Sequence, residues 1–174
     1  LLSTDGTITW IGRATDAPPA DAVIDGKGTI GLPGLVDPHT HAVWAGSRSG
    51  EFARRLAGAS YAEILEQGGG ILSTVAATQA ASEAHLQQTL SARLHRMASR
   101  GVTCVEVKSG YGLDPTTEHR MLAVAAANER MDGPCQLVRT FLGAHTVPAA
   151  YRSNREAYVR QVIDEQLPLC APLA

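Results

Sequence analysis

Two histidines, His39 and His41, stand two residues apart at the end of an apolar stretch that begins at Leu35. Alternate residues of a β-strand point to the same side, so this spacing brings two imidazole rings together. Neutral imidazole is a frequent ligand of zinc and of iron, and two such ligands make half of a tetrahedral site. Two polar residues in a turn are the alternative. The Pro33-Gly34 step and the apolar residues after it favour the end of a buried strand, where barrel active sites lie.

Two further polar clusters follow stretches that are typical of strands. The first cluster, residues 106–112, contains Lys108 and Tyr111 and lies at the end of the stretch at 102–107. The second contains His145 and follows the stretch at 137–142. The carboxyl ends of parallel strands share one edge of the sheet, and functional loops gather there. We therefore predict that both clusters lie beside the histidine pair. A solvated or ion-paired strand end is the preferred interpretation of Lys108, ahead of a catalytic role. Loop packing is the alternative for Tyr111, and a hydrogen-bonded loop histidine is the alternative for His145.

Arg48 follows the histidine pair closely along the chain. Its guanidinium has the geometry to bind a carboxylate through two hydrogen bonds, and a surface arginine is the alternative. The histidines His85, His95 and His119 fall on predicted helices away from the strand ends, which indicates surface or packing roles. The sequence has no GxSxG motif, so the nucleophile elbow of serine hydrolases is not indicated.

The elements that must position these residues form two regions. Before residue 35, Asp5-Gly6 predicts a turn ahead of a strand at 7–11, and residues 25–28 predict a second turn between short strands at 23–24 and 29–30. After residue 35, strands and helices alternate. Strands are predicted from 35, at 102–107 and at 137–142, with a break in the chain at 132–134. Helices are predicted from Ser60 to about 67, from Ser82, from Asp114-Pro115 to about Arg130, and after Asn154 to about Leu167. The helix from Ser82 carries an apolar stripe of Leu86, Leu90, Leu94 and Met97.

This order predicts an α/β fold with a parallel sheet. A (β/α)8 barrel and an open doubly wound sheet both fit. No GxGxxG fingerprint follows a strand, which argues against a dinucleotide-binding sheet.

Composition excludes several classes of protein. The chain has 174 residues, 44% of them hydrophobic, and a net charge of -2, which is typical of a globular protein and gives no basic surplus for nucleic acid or an anionic membrane. No apolar run reaches the ~18 residues of a membrane span. Three cysteines without CxxC spacing indicate unpaired thiols in a reducing cytoplasm rather than disulfides or a thiolate zinc site.

Several blocks of the sequence resemble the imidazolonepropionase family of the amidohydrolase superfamily. The blocks are LPGLVDPHTH (32–41), WAGSR (44–48), ASY (59–61), GGGI (68–71), EVKSGYGL (106–113) and TFLGAH (140–145). The resemblance covers nearly the whole chain. It implies hydrolysis of the ring amide of 4-imidazolone-5-propanoate to N-formimidoyl-L-glutamate, with one zinc or iron ion held in part by His39 and His41.

The resemblance also implies roles for the other candidate residues. Arg48 and Tyr111 match substrate-binding positions, with Arg48 facing the propionate, and His145 matches a catalytic histidine that contacts the substrate. Tyr61 is an addition to the carboxylate pocket. Another cyclic amidase or deaminase of the superfamily, and a catalytically silent α/β binding module, are the alternatives.

The same resemblance implies a fold that is larger than this chain. Residues 1–34 correspond to part of a small β-sandwich domain, and residues 35–174 to the first part of a (β/α)8 barrel, about three βα units. Such a barrel takes about 250 residues. We therefore expect the remaining metal ligands and an acid/base residue after Ala174, and an inactive protein without them. The expected partners are a small-molecule substrate and, at full length, a second copy in a homodimer.

Overall fold

The computed structural model describes residues 1–131 and 133–174, apart from the side chains of residues 65, 66 and 130. The chain divides into two compact units, Leu1–Pro33 and Gly34–Ala174. Residue 132, where part of the predicted break at 132–134 falls, lies outside the described residues. No helix within the described ranges combines the length and the apolar character needed to cross a bilayer.

The first unit contains the predicted hairpin. Strand β1 (Leu2–Thr4) pairs in antiparallel fashion with β2 (Thr7–Trp10). The turn residues Asp5 and Gly6 both have positive φ angles, 50° and 77°, as a two-residue turn of this hand requires.

The second predicted turn forms, but its flanking strands do not. The Thr29 N–H donates to the Gly26 carbonyl at 3.0 Å, which closes the turn. Residues 23–24 and 29–30 are not in strands, so the prediction of strands there is wrong. A stable strand needs a partner for its backbone groups and a buried face, whereas the Ile24 side chain is 95% exposed.

The second unit is built on a parallel sheet of three strands. Its strands are β3 (Leu35–Thr40), β4 (Val102–Lys108) and β5 (Gln136–Thr140), in the order β3-β4-β5. Both pairings are parallel, which confirms the predicted α/β class. The α-helices are α1 (Ser49–Leu56), α2 (Tyr61–Glu66), α3 (Ile71–Ala80), α4 (Glu83–Ala98), α5 (Pro115–Arg130), α6 (Arg155–Gln161) and α7 (Leu167–Cys170).

Helices α4 and α5 cover one face of this sheet. Leu86, Leu90 and Leu94 are completely buried, against a core that includes Val105 and Val107 of β4. The stripe predicted from their spacing is thus confirmed. Burying each leucine stabilises the fold by about 1.5–3 kcal/mol, and the packing fixes the strands whose ends carry the polar clusters.

The helix ends follow the predicted capping residues. The Ser60 N–H donates to Glu63 Oε2 at 2.7 Å, and the Glu63 N–H donates to Ser60 Oγ at 3.2 Å, a reciprocal capping box. Asp114 accepts from the Thr117 N–H at 2.8 Å at the start of α5. Gly101, with a φ of 87°, follows α4 and turns the chain into β4.

The last helical region differs from the single helix predicted after Asn154. Helix α6 ends at Gln161, a π-helical turn occupies Val162–Gln166, and α7 follows. Pro168 explains the interruption, because its nitrogen has no hydrogen to donate to the carbonyl of Asp164 and its ring crowds that carbonyl.

Candidate active site

His39 and His41 lie at the carboxyl end of β3 with their ring centroids 5.9 Å apart. His39 is exposed, whereas His41, just beyond the strand, is half-buried. Between them, the Thr40 hydroxyl donates to the Glu106 carbonyl at 2.6 Å. This bond ties the end of β3 to β4 and leaves the two imidazoles side by side, as their spacing predicts.

Three aromatic rings from three different strand ends meet at this edge of the sheet. The His41 ring stacks on that of His145 with centroids 4.6 Å apart and planes 8° from parallel. The Tyr111 ring centroid lies 4.6 Å from His41 and 5.5 Å from His145. The sheet therefore brings His41, Tyr111 and His145 together, and the prediction of a shared edge is confirmed.

His145 belongs to a short 3-10 turn, Gly143–His145, that follows β5. Its Nδ1 lies 3.0 Å from the Gly110 carbonyl oxygen. A carbonyl only accepts hydrogen bonds, so Nδ1 carries the hydrogen and Nε2 of the neutral ring keeps its lone pair. The site thus holds His145 in one tautomer.

The surroundings of His41 keep its imidazole neutral. Burial, together with repulsion from His145, lowers the pKa of His41 to about 4. At neutral pH the ring is uncharged, which is the form that binds metal ions. Its Nδ1 atom is buried and has no hydrogen-bond partner among the described residues.

These properties fit a metal ligand, and the donor set is partial. Within residues 1–131 and 133–174, no group of three or more His, Cys, Asp and Glu side chains is arranged to hold a metal ion. His39 and His41 can therefore supply two imidazole donors, which leaves other positions of a tetrahedral site to other ligands.

Tyr111 is placed as a hydroxyl donor. Burial raises the pKa of Tyr111 above its ordinary value, although the positive charge of Arg48 opposes the shift. The hydroxyl therefore stays protonated at neutral pH and can donate a hydrogen bond to a ligand next to His41.

Arg48 immediately precedes α1 and pairs with Glu51 of that helix. Its Nε and Nη2 atoms both lie 2.8 Å from Glu51 Oε2. Glu51 is held in turn by the Gly70 N–H at 3.1 Å and the Ser73 hydroxyl at 3.2 Å. Although desolvation raises the pKa of Glu51, these hydrogen bonds, led by that from Arg48, lower it overall. The guanidinium is thus fixed through one edge, and its Nη1–Nη2 edge has the geometry to bind a second carboxylate.

Tyr61 and Lys108 contribute differently. Tyr61 begins α2, is 54% exposed, and makes no aromatic contact with the three-ring cluster in the described part of the chain, so its binding role stays a prediction.

Lys108 Nζ lies 2.6 Å from Glu106 Oε1, which also accepts from the Thr140 hydroxyl at 2.7 Å. The interpretation of Lys108 as an ion-paired strand end is therefore confirmed.

The sequence gives no direct indication of Glu118, a completely buried carboxylate beneath the loop that carries Tyr111. Glu118 Oε2 accepts from the Gly110 N–H at 2.9 Å, and Oε1 accepts from the N–H groups of Gly112 and Leu113 at 2.8 Å each. An acid in the first turn of a helix normally indicates only a favourable helix start. The glycine-rich loop just before it, with N–H groups that need acceptors, is the signal that points to this second role.

Comparison with known proteins identifies the relatives of this chain. No family model matches it. It is 49% identical over 177 residues to "Imidazolonepropionase" of Symbiobacterium thermophilum, a match that covers 98% of this chain and 41% of the relative. It is 52% identical over 152 residues to "Imidazolonepropionase" of Herpetosiphon aurantiacus (87% of this chain, 35% of the relative). It is also 51% identical over 174 residues to that of Halobacterium salinarum (96% and 41%).

The fold and the site define an α/β protein with a cluster of imidazoles at the carboxyl edge of a parallel sheet. The chain belongs to the imidazolonepropionase family, since about half of its residues are identical to those of several members over nearly its whole length. The chain spans about two fifths of the length of the curated relatives it matches.

Proposed function

We propose that the full-length protein hydrolyses the ring carbon–nitrogen bond of 4-imidazolone-5-propanoate and releases N-formimidoyl-L-glutamate, a step of histidine degradation. The single observation that carries the proposal is the meeting of His41, Tyr111 and His145 at one edge of the sheet, 4.6 to 5.5 Å apart. The relatives named imidazolonepropionase, at 49–52% identity, support the same conclusion.

The fold of the full-length protein is proposed to be a (β/α)8 barrel. Parallel strands joined through helices on one face are the repeating unit of that barrel, and catalytic residues of barrels lie at the carboxyl ends of the strands. Residues 35–174 would contribute about three βα units, and residues 1–34 would belong to a small flanking β-sandwich domain. The hairpin of β1 and β2 is compatible with such a domain.

His39 and His41 are proposed to hold one metal ion, zinc or iron. The buried, unpartnered Nδ1 atom and the low pKa of His41, about 4, support a ligand role. When bound, such an ion would lower the pKa of a water molecule toward neutrality and so make water a better nucleophile for hydrolysis. The remaining ligands would come from other parts of the full-length protein.

Three residues are proposed to bind and orient the substrate. Arg48 would hold the propionate through its Nη1–Nη2 edge while Glu51 fixes the other edge. The Tyr111 hydroxyl would donate to the imidazolone, and Tyr61 would join the carboxylate pocket. A substrate held at both ends presents its ring carbonyl to one place, which raises the rate of attack.

His145 is proposed as the catalytic residue of this chain. With Nδ1 fixed by the Gly110 carbonyl, Nε2 is the atom that can exchange a proton or hydrogen-bond with the reacting group. A proton on His145 Nε2 would stabilise the negative charge that develops on the substrate during attack.

The enzyme is proposed to act in the cytoplasm. Within the part of the chain that the structure describes, Cys104, Cys135 and Cys170 are free thiols, which suits a reducing compartment such as the cytoplasm. The substrate is a small molecule, and a homodimer is the proposed assembly of the full-length protein.

A direct assay tests the proposed function. Purified full-length protein, loaded with zinc or iron, is incubated with 4-imidazolone-5-propanoate, and N-formimidoyl-L-glutamate is followed by mass spectrometry. We expect product with the wild-type protein and almost none with the double variant His39→Ala/His41→Ala. His95, an exposed histidine of α4, gives the matched control His95→Ala, which should retain activity. Absence of product from the metal-loaded wild-type protein would refute the function.

A further inference from the structure

The loop between β4 and α5 carries Tyr111 between two residues with positive φ angles. Gly110 has a φ of 111° and Leu113 a φ of 59°, and a leucine rarely adopts this left-handed conformation. Such conformations persist only where the surroundings hold them. The three N–H groups that flank Tyr111, those of Gly110, Gly112 and Leu113, all donate to Glu118.

We propose that Glu118 is the positioning residue of this site, whose carboxylate sets the places of Tyr111 and, through Gly110, of His145. Gly110 links the two, because its N–H donates to Glu118 while its carbonyl accepts from His145 Nδ1. The inference rests on the proposed function, since it concerns residues that would contact the substrate.

The role needs a side chain with two hydrogen-bond-accepting oxygens. Each of its two oxygens accepts from the loop, Oε2 from one N–H group and Oε1 from two. A glutamine at position 118 offers one oxygen, and its NH2 group would face an N–H donor instead of accepting from it. Hydrogen bonds to a charged acceptor are also stronger than those to a neutral one.

The loop between β4 and α5 has little room for another conformation once its N–H groups are bonded to Glu118. A Cβ at Gly112 would lie 2.6 Å from the Glu118 backbone nitrogen, so the loop backbone sits directly on the start of α5. On the other side, the Ser109 hydroxyl accepts from the Leu142 N–H at 2.9 Å, which joins this loop to the one that carries His145. Glu118 therefore acts on both rings through two connected loops.

The first test measures geometry without requiring activity. In the 15N-labelled protein, Glu118→Gln should make the amides of Gly110, Gly112 and Leu113 exchange on the order of tenfold faster, because each bond to a charged acceptor is lost or weakened. It should also weaken the nuclear Overhauser effects between the rings of Tyr111 and His41. Glu129→Gln is the matched control, since Glu129 lies on the same helix and pairs with Arg139. Unchanged ring contacts in a folded Glu118→Gln protein would overturn the proposal.

The second test separates positioning from a general loss of folded protein. In the full-length, metal-loaded protein, Glu118→Gln should raise KM for 4-imidazolone-5-propanoate and lower kcat. The rise in KM should shrink when Tyr111→Phe is already present, because both changes act through the same ring. A role in folding alone would lower the amount of active protein at an unchanged KM, and that result would contradict the proposal.

Two further points keep the outcomes distinct. If Glu118→Gln does not fold, Glu118→Asp keeps the charge at a shorter reach, and it should disturb the same three amides less severely than Glu118→Ala. If the wild-type protein does not hydrolyse the substrate, the proposed function fails, while the amide exchange and ring contacts still decide whether Glu118 sets the loop.

Discussion

The imidazole planes of His41 and His145 lie 8° from parallel with their centroids 4.6 Å apart, although the two residues follow different strands of the sheet. The stacking depends on the register of three parallel strands and on the hydrogen bond from His145 Nδ1 to Gly110. The stacking places His41, a proposed metal ligand, directly against His145, the proposed catalytic residue. This contact makes one site from two separate loops.

Removing the histidine pair should remove the metal. We expect His39→Ala or His41→Ala in the full-length protein to lower the metal bound per protein chain, and the double variant to retain almost none, because two of the proposed ligands are then lost. Elemental analysis by inductively coupled plasma mass spectrometry measures the content. His95→Ala should match the wild type, and a full equivalent of metal in the double variant would refute the assignment.

Arg48 should affect substrate binding more than turnover. Arg48→Ala in the full-length protein should raise KM for 4-imidazolone-5-propanoate by on the order of tenfold to a hundredfold, the loss expected for hydrogen bonds between charged groups. The effect on kcat should be smaller, since a carboxylate contact far from the reacting bond acts on binding. Steady-state kinetics measure both constants. Arg55→Ala, at an exposed position of the same helix, is the control, and an unchanged KM in Arg48→Ala would exclude the clamp.

Elements with strong local signals could be predicted from the sequence. Periodicity and caps act within one helix, so they can be recognised in the sequence. The stripe of Leu86, Leu90 and Leu94 and the capping pair Ser60 and Glu63 are examples. The neighbouring positions of Tyr111 and His145 also followed from the sequence, because parallel strands must end at one edge.

Features that depend on distant partners could not be predicted. The stretch at 29–30 has an apolar residue, Ile30, yet forms no strand, because a strand also needs a paired backbone. The bonds from Gly70 and Ser73 that hold Glu51, and the buried position of Glu118, result from how helices pack on loops. The interruption after α6 is different, since Pro168 was a local signal for it.

Gly110 should tolerate no side chain. A Cβ there would lie 2.9 Å from the Leu142 carbonyl oxygen and 3.0 Å from His145 Nδ1, in a backbone with a φ of 111°. We expect Gly110→Ala to lower the free energy of unfolding by about 1–3 kcal/mol and to displace His145. Urea denaturation measures the stability. Gly50→Ala in α1 has open space around its Cβ and should be neutral or stabilising, so equal losses in the two variants would contradict the expectation.

Glu106 should make stability depend on acid pH. Hydrogen bonds from Lys108, and then from Thr140, lower the pKa of Glu106 below its ordinary value of 4.5. The folded protein therefore binds this proton less tightly than the unfolded chain, so the stabilisation is complete above about pH 4.5 and is lost as the pH falls through the lower folded pKa. The glutamine side chain of the variant Glu106→Gln does not titrate, so it removes this contribution to the pH dependence. The difference in unfolding free energy between wild type and variant should shrink with acidification in this range, and a constant difference would contradict the prediction.

The three thiols should react at different rates. Burial raises the pKa of Cys135 and raises that of Cys170 to about 11, so at pH 8 both hold little of the reactive thiolate and are shielded from reagent. Cys104 is half-buried on β4 and should react first with 5,5′-dithiobis(2-nitrobenzoate), with the other two reacting only as the protein unfolds. The release of thionitrobenzoate measures each phase. Cys104→Ser should abolish the fast phase and leave the slow one, whereas a fast phase that survives in Cys104→Ser would show that a buried thiol is accessible in the folded protein.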